Sequence, residues 1–270
     1  MVDEPREGFL KSGEYKIHYL LWGGSGPKLV FLHSMGIDAR GFDTISRDLK
    51  DDYQILALDI LDHGDSDTPS EPVSLADHSE VMRDCYRQIG FFPNVLLGHS
   101  VGGMMGMVLA AEHPEELKGL VLVDIAPFEP TGRRSPRPEP PEYFKDEDHA
   151  REYFLQRYPD FTEEAIENRV KHALRKDEKG RLVRKPAGDA IRGGIATDLW
   201  PYVKRMRAPT LMILGATSTL VTKETIERMR KTVQDLRVVT VQGVGHMVPQ
   251  GKPKEFLAHL RSFLESLDLD

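Results

Sequence analysis

The sequence predicts an α/β protein with a mostly parallel sheet, helices on both sides of the sheet and an inserted helical cap. Short apolar runs alternate along the chain with longer segments of helical periodicity. The pentapeptide Gly98-His-Ser-Val-Gly102 stands between one such run and one such segment. The alternation stops between residues 127 and 207, where no strand is predicted.

Seven segments of the sequence have the pattern of strands in a sheet. Residues 15–22 alternate apolar and polar side chains, which is typical of an exposed antiparallel strand, and a glycine-rich turn ends them. Six later runs are mostly apolar, as in strands covered by helices on both faces. They are Leu29–Phe31, Ile55–Leu58, Val95–Leu97, Leu120–Val123, Leu211–Leu214 and Val238–Val241.

Helical periodicity fills most of the intervals between these runs. The predicted helices outside the cap are Gly41–Leu49, Ser74–Ile89, Val101–His113, Thr222–Val233 and Lys254–Leu267. Strands and helices in this alternation produce a parallel sheet with right-handed crossovers.

The segment 127–207 predicts the cap. It opens with a proline-rich stretch, Pro130–Pro141, which we expect to be extended because proline fixes the backbone and removes amide donors. Helices are predicted after it at Asp148–Tyr158, Thr162–Lys176 and Asp198–Met206. We divide the chain into a first core part (1–126), a helical cap (127–207) and a second core part (208–270). A cap walls a pocket and excludes water, whereas the alternative is a helical decoration without substrate contact.

Composition excludes several classes of protein. The 270 residues suffice for a substantial core, and 43 acidic against 36 basic residues give a net charge of −7. An acidic balance argues against a nucleic-acid partner. Residues 1–8 lack the apolar core of a signal peptide and no apolar run reaches the length of a membrane span, so we expect a cytoplasmic protein with no membrane association. The lone Cys85 excludes an internal disulfide and is expected to be buried.

The pentapeptide matches the pattern G-x-S-x-G, in which a serine lies on a sharp turn from a strand into a helix. A side chain at Gly98 or Gly102 would crowd the turn, and the helix N-terminus faces the serine oxygen. The same pattern also occurs in ordinary loops. The strand before it and the helix after it favour Ser100 as a nucleophile.

Further motifs follow in chain order. They are Leu29–Gly36, Asp62–Ser66, Gly119–Asp124, Pro209–Gly215 and Gly243–His246. Together with the serine turn they resemble the α/β-hydrolase superfamily over almost the whole chain. The resemblance implies the α/β-hydrolase fold with an inserted cap and hydrolytic chemistry, but it does not identify a substrate.

A serine nucleophile needs a base within hydrogen-bond reach. The resemblance implies that this base is His246, which follows Gly245 and precedes the last helix. No group of histidine, cysteine and carboxylate residues has the spacing of metal ligands, so we expect no metal and no cofactor.

The acid that orients the histidine departs from the family pattern. Most members carry it after the next-to-last strand, but residues 215–221 contain no carboxylate, and Thr219 stands at the expected position. Glu224 is explained as a first-turn residue that the helix dipole favours. Some members place the acid one strand earlier, where this chain has Asp124, and a carboxylate at either strand end can reach the same imidazole. We predict Asp124, although an aspartate there also occurs as a capping residue.

Two backbone amides are needed to stabilise the oxyanion of the reaction. Val101 follows the nucleophile and supplies one. The resemblance implies that the other belongs to Met35, in a loop that usually reads His-Gly-x but here reads His33-Ser34-Met35. Ser34 restricts the backbone where a glycine is usual and adds a hydroxyl.

These residues predict a serine hydrolase that cleaves a small-molecule carboxylic ester or lactone through an acyl-enzyme. Ser100 argues against the members that use an aspartate nucleophile. Hydrolysis of a carbon–carbon bond by the same triad and a non-catalytic ligand-binding role remain alternatives, the latter favoured by the missing loop carboxylate. The candidate substrate-binding residues are Ser34, Phe128, Phe154 and Trp200. The alternative for the aromatic side chains is packing in the core of the cap.

Overall fold

The computed structural model describes residues 4–127, 138–188 and 197–269. An eight-stranded sheet runs through it in the order β1-β2-β4-β3-β5-β6-β9-β10. Its strands are Arg6–Ser12 (β1), Tyr15–Trp22 (β2), Lys28–Leu32 (β3), Gln54–Leu58 (β4), Asn94–His99 (β5), Leu117–Val123 (β6), Thr210–Gly215 (β9) and Leu236–Val241 (β10). The two pairings that involve β2 are antiparallel, and all later pairings in the order are parallel. The predicted α/β fold with a mostly parallel sheet is therefore confirmed.

Helices cover both faces of this sheet, and two others pack in a separate cluster. The helices are Asp43–Leu49 (α1), Leu75–Gln88 (α2), Val101–Glu112 (α3), Glu147–Arg157 (α4), Glu163–His172 (α5), Trp200–Val203 (α6), Lys223–Thr232 (α7), Val248–Gly251 (α8) and Pro253–Leu264 (α9). One hydrophobic core packs α2, α3, α6 and α7 against one face, and a second core packs α1 and α9 against the other. Because β5 is buried at every residue between these cores, its apolar run carried a clear sequence signal.

The edge of the sheet differs from the prediction. The strand β1, whose residues are mostly exposed and partly charged, was not predicted and forms the edge. The predicted strand over residues 15–22 exists, but it is not an exposed strand, because β1 and β4 pair with its two sides.

The segment predicted as a cap contains two strands where the sequence predicted none. Leu174–Lys176 (β7) and Leu182–Arg184 (β8) form an antiparallel hairpin. Asp177 shapes its turn by accepting hydrogen bonds from the backbone amides of Lys179 and Arg181. The predicted helix over 162–176 therefore ends at His172.

Two packing units divide the segment predicted as a cap. The helices α4 and α5 share a hydrophobic cluster with aromatic residues such as Phe144 and Tyr153. Residues 199–206 instead pack into the main core beside α3. The structure thus joins α6 to the core, and the boundary at residue 207 stays a prediction.

A glycine substitution tests how tightly the serine turn is packed. A Cβ added at Gly102 would lie 2.2 Å from the backbone oxygen of Leu32. We expect Gly102→Ala to lower the free energy of unfolding by about 3 kcal/mol or more, measured by urea denaturation. Gly24→Ala is the control, because no heavy atom lies within 4 Å of the added carbon there. Equal effects of the two substitutions would contradict this account.

Candidate active site

Ser100 lies at the junction of β5 and α3 in a strained conformation. Its φ of 54° and ψ of −116° lie in a region that residues other than glycine rarely adopt. The amide of Ser100 donates to the backbone oxygen of Val123, and its own carbonyl accepts from the amide of Met104. A Cβ at Gly98 would lie 2.3 Å from the backbone oxygen of Gly102, which explains why the turn requires glycine there. The serine side chain is half-buried.

Asp124 and His246 meet beside this turn, although 122 positions separate them. Asp124 follows β6 and is fully buried, and His246 follows β10. Nδ1 of His246 is 2.7 Å from Oδ2 of Asp124. A carboxylate accepts, so Nδ1 carries the proton and Nε2 is left as the basic nitrogen.

The last residue of β9 and a residue of the loop that follows it also bind this carboxylate. The amide of Gly215 donates to Oδ1 at 3.2 Å, and the hydroxyl of Ser218 donates to Oδ2 at 2.5 Å. The sequence analysis missed Ser218. The only local signal was a hydroxyl residue in a loop that lacks the usual acid.

His99 connects the histidine loop to the serine turn. Its Nε2 donates to the backbone oxygen of His246 at 2.9 Å, and the two rings lie 4.9 Å apart. Burial lowers the pKa of His99 well below its ordinary value, and nearby His246 acts in the same direction, so the His99 ring is neutral. Among the described residues, no hydrogen bond joins the hydroxyl of Ser100 to His246. Such catalytic bonds often tighten only when substrate binds.

The amides of Met35 and Val101 are free to bind another acceptor. Within the described ranges, neither amide donates to a protein group. The amide of Gly102 donates to the backbone oxygen of His33 at 3.2 Å, which ties the turn to the loop that holds Met35. An oxyanion site requires two such unpaired amides, and the assignment of Met35 and Val101 to it stays a prediction.

The loop after β3 accommodates Ser34 without strain. The residue with positive φ is Gly36, at 85°, and Ser34 is not in the left-handed region. The buried Ser34 hydroxyl lies 3.9 Å from the sulfur of Met247, next to the histidine loop. His33 fixes the start of the loop, because its Nε2 accepts from the amide of Ile60 at 2.9 Å.

Three residues of the segment predicted as a cap contact the loops of the site, and none of them was among the predicted site residues. The hydroxyl of Tyr158 donates to the backbone oxygen of Gly36 at 2.9 Å. A carboxylate oxygen of Asp160 accepts from the amide of Gly245, the residue before His246, at 3.1 Å. Buried Arg169 donates to buried Asp38 at 2.6 Å. This segment therefore supports the backbone of the loops that contain Met35 and His246.

The candidate substrate-binding residues lie in different surroundings. Phe154 is 1% exposed and packs in the cap cluster, and Trp200 is 5% exposed and packs in the main core with the Arg228 guanidinium over its ring. Phe128 lies outside the described residues. Packing is the role that the structure shows for Phe154 and Trp200, and substrate binding by these residues stays a prediction.

Histidine and carboxylate groups also meet at two other places in the described structure. These groups are His18 with Asp59 and Asp65, and His113 with Glu115 and Glu116. Two backbone amides and His18 donate to Asp59, while two arginines and a tyrosine donate to Glu116. These carboxylates thus take part in hydrogen bonds within the protein.

Comparisons with known proteins show the family of the chain. The model of the alpha/beta hydrolase family matches residues 29–259. A 2-(acetamidomethylene)succinate hydrolase of Mesorhizobium japonicum is 25% identical, with 90% of both chains covered. An esterase of Mycobacterium tuberculosis is 29% identical over 93% of this chain and 87% of its own, and an sn-1-specific diacylglycerol lipase of Mus musculus is 28% identical over 88% and 81%.

A solved structure extends the likeness to the whole fold. The crystal structure of E-2-(acetamidomethylene)succinate hydrolase superposes with a TM-score of 0.87 at 24% identity, covering 97% of this chain and 100% of that chain. In the described part of this protein, none of the helices is both long and apolar enough to cross a bilayer.

The hydrogen bond from Tyr158 to Gly36 can be tested by removing the hydroxyl oxygen of the tyrosine. Tyr158→Phe leaves the buried carbonyl of Gly36 without its partner, so we expect the free energy of unfolding to fall by about 1–3 kcal/mol. Tyr143→Phe is the control, because that side chain is 45% exposed and we expect a change within about 0.5 kcal/mol. Urea denaturation measures both, and an unchanged Tyr158→Phe variant would refute the contact.

Proposed function

The chain belongs to the alpha/beta hydrolase family, and from this premise we propose that it is a serine hydrolase that cleaves a carboxylic ester or a lactone. The observation that supports this most directly is the hydrogen bond between buried Asp124 and His246 beside the strained turn of Ser100. The three side chains have the chemistry of a nucleophile, a base and an acid that orients the base.

The first half of the proposed reaction forms an acyl-enzyme. Nε2 of His246 takes the proton of the Ser100 hydroxyl as its oxygen bonds to the substrate carbonyl carbon. The carbonyl oxygen becomes an oxyanion, which accepts hydrogen bonds from the amides of Met35 and Val101. Asp124 holds the ring and stabilises the imidazolium. When the intermediate collapses, the bond to the leaving oxygen breaks and that oxygen takes the proton from His246.

The second half releases the acid. His246 removes a proton from a water molecule as the water oxygen bonds to the acyl carbon. The same two amides stabilise the second oxyanion. The bond to the Ser100 oxygen then breaks, the serine regains its proton from His246, and the carboxylic acid leaves.

Two observations bear on the alternatives. The missing carboxylate in residues 215–221 favoured a non-catalytic protein, but Asp124 provides a carboxylate to His246 from the neighbouring strand, which supports an enzyme. The relatives named as an esterase and a diacylglycerol lipase support ester bonds, while the relative named as a 2-(acetamidomethylene)succinate hydrolase keeps hydrolysis of a carbon–carbon bond as the alternative. A panel of p-nitrophenyl esters of increasing acyl length, together with several lactones, tests the substrate class.

The nucleophile and the base are tested as a pair. We expect Ser100→Ala and His246→Ala each to lower kcat by roughly 10⁴-fold or more, and the double variant to lose little beyond that, because triad members act as a unit. A fluorophosphonate probe labels the wild type and leaves Ser100→Ala unlabelled. Wild-type turnover in Ser100→Ala would rule out the proposed mechanism.

The acid is tested by an isosteric change. Asp124→Asn keeps the shape of the side chain but favours the wrong histidine tautomer, and we expect kcat to fall by around 10⁴-fold. Asp51→Asn on the surface is the control and keeps wild-type kcat. If Asp124→Asn is fully active while Glu224→Gln is not, the acid is Glu224.

A further inference from the structure

We propose that Ser218 is a positioning residue for the triad acid, and that position 218 is where its loop can hold a carboxylate that reaches His246. The inference rests on the proposed function, because it assigns Ser218 a role through Asp124. Residues 215–221 contain no carboxylate, but the Ser218 hydroxyl in this loop donates a hydrogen bond to Asp124.

Three donors meet at the Asp124 carboxylate. Gly215 donates its amide to Oδ1 at 3.2 Å, while Ser218 and His246 donate to the same oxygen, Oδ2, at 2.5 and 2.7 Å. Hydrogen bonds to an ionised acceptor are short and strong. A donor at each oxygen fixes the carboxylate plane, so Oδ2 faces the imidazole.

The direction of the Ser218 proton follows from its second partner. The amide of Leu220 lies 3.3 Å from the Ser218 oxygen and donates to it, which occupies a lone pair of the hydroxyl. The single hydroxyl proton is then available to Asp124, which accepts it.

Backbone contacts fix the place of the Ser218 loop. The amide of Ala216 donates to Val241 at 2.9 Å, and the amide of Thr217 donates to Val244 at 3.1 Å. Ser218 closes a turn onto Gly215 at 3.1 Å. These bonds join the loop to the segment that leads into His246. The Ser218 hydroxyl and the His246 imidazole are therefore held in place around the same oxygen of Asp124.

The same geometry separates position 218 from position 219. Ser218 and His246 donate to the same oxygen of Asp124. The side chain of residue 218 is therefore directed at that oxygen, and a carboxylate introduced at this position extends toward it. Thr219, the position expected from the family pattern, is exposed and makes no hydrogen bond to Asp124 or His246 in the described ranges. The place for an acid in this loop is therefore one residue earlier than the pattern suggests.

Removal of the hydroxyl tests the positioning role. We expect Ser218→Ala to lower kcat by about tenfold with KM changed by less than about twofold, because the carboxylate loses a charge-assisted bond. Ser218→Thr keeps a hydroxyl and restores kcat.

The outcomes of this experiment separate two failures. Loss of turnover in Asp124→Asn with kcat unchanged in Ser218→Ala would overturn the role of Ser218 alone. Full turnover in Asp124→Asn would overturn the triad and the role of Ser218 with it. Equal loss of kcat in Ser218→Ala and Ser218→Thr would also count against a role for the hydroxyl.

Relocation of the acid tests the position itself. We expect Asp124→Ala with Ser218→Asp to recover at least about tenfold in kcat over Asp124→Ala alone. Asp124→Ala with Thr219→Asp is the matched control, with the same charge one residue later, and it stays at the level of Asp124→Ala. Recovery from position 219 and none from position 218 would refute the assignment.

Discussion

The site depends on how a fully buried carboxylate is stabilised at the end of β6. A buried carboxylate without partners is costly, and Asp124 is 0% exposed. Donors from Gly215, Ser218 and His246 offset that cost and bring together segments far apart in the sequence. The carboxylate is thus the common acceptor for the loop after β9 and the loop after β10. Because both loops converge on this carboxylate, the orientation of His246 depends on how the carboxyl ends of β6, β9 and β10 come together.

The segment that the sequence predicted as a cap takes part in this arrangement through contacts with the loops of the site. Tyr158 and Asp160 hold the backbone beside Met35 and His246. The buried ion pair of Arg169 and Asp38 adds little net stability, because the desolvation of two charges is costly. Its contribution is to orient the segments that carry the two residues. A substitution in the cap can therefore alter turnover through loop geometry without any contact with substrate.

Sequence patterns predicted the features that depend on local composition. The strands β3 to β6 were visible because burial on both faces demands apolar runs, and the serine turn was visible because its strain demands small neighbours. The strand β1 was missed since an exposed edge imposes no such demand. Ser218 and Tyr158 were missed for a different reason: their partners are distant in the chain, and a lone serine or tyrosine has many local explanations.

The position of Asp124 shows why carboxylates at the ends of two neighbouring strands can reach the same histidine. Val123 and Ile213 are partners in the parallel register of β6 and β9, and the amide of Asp124 donates to Ile213. Neighbouring strands lie about 4.8 Å apart, which is within the reach of a side chain. A carboxylate that moves from one strand end to the next therefore keeps its access to the imidazole, provided that the vacated loop supplies donors in its place. In this protein Gly215 and Ser218 are those donors, so the absence of a carboxylate from the loop and the presence of Asp124 are two parts of one arrangement.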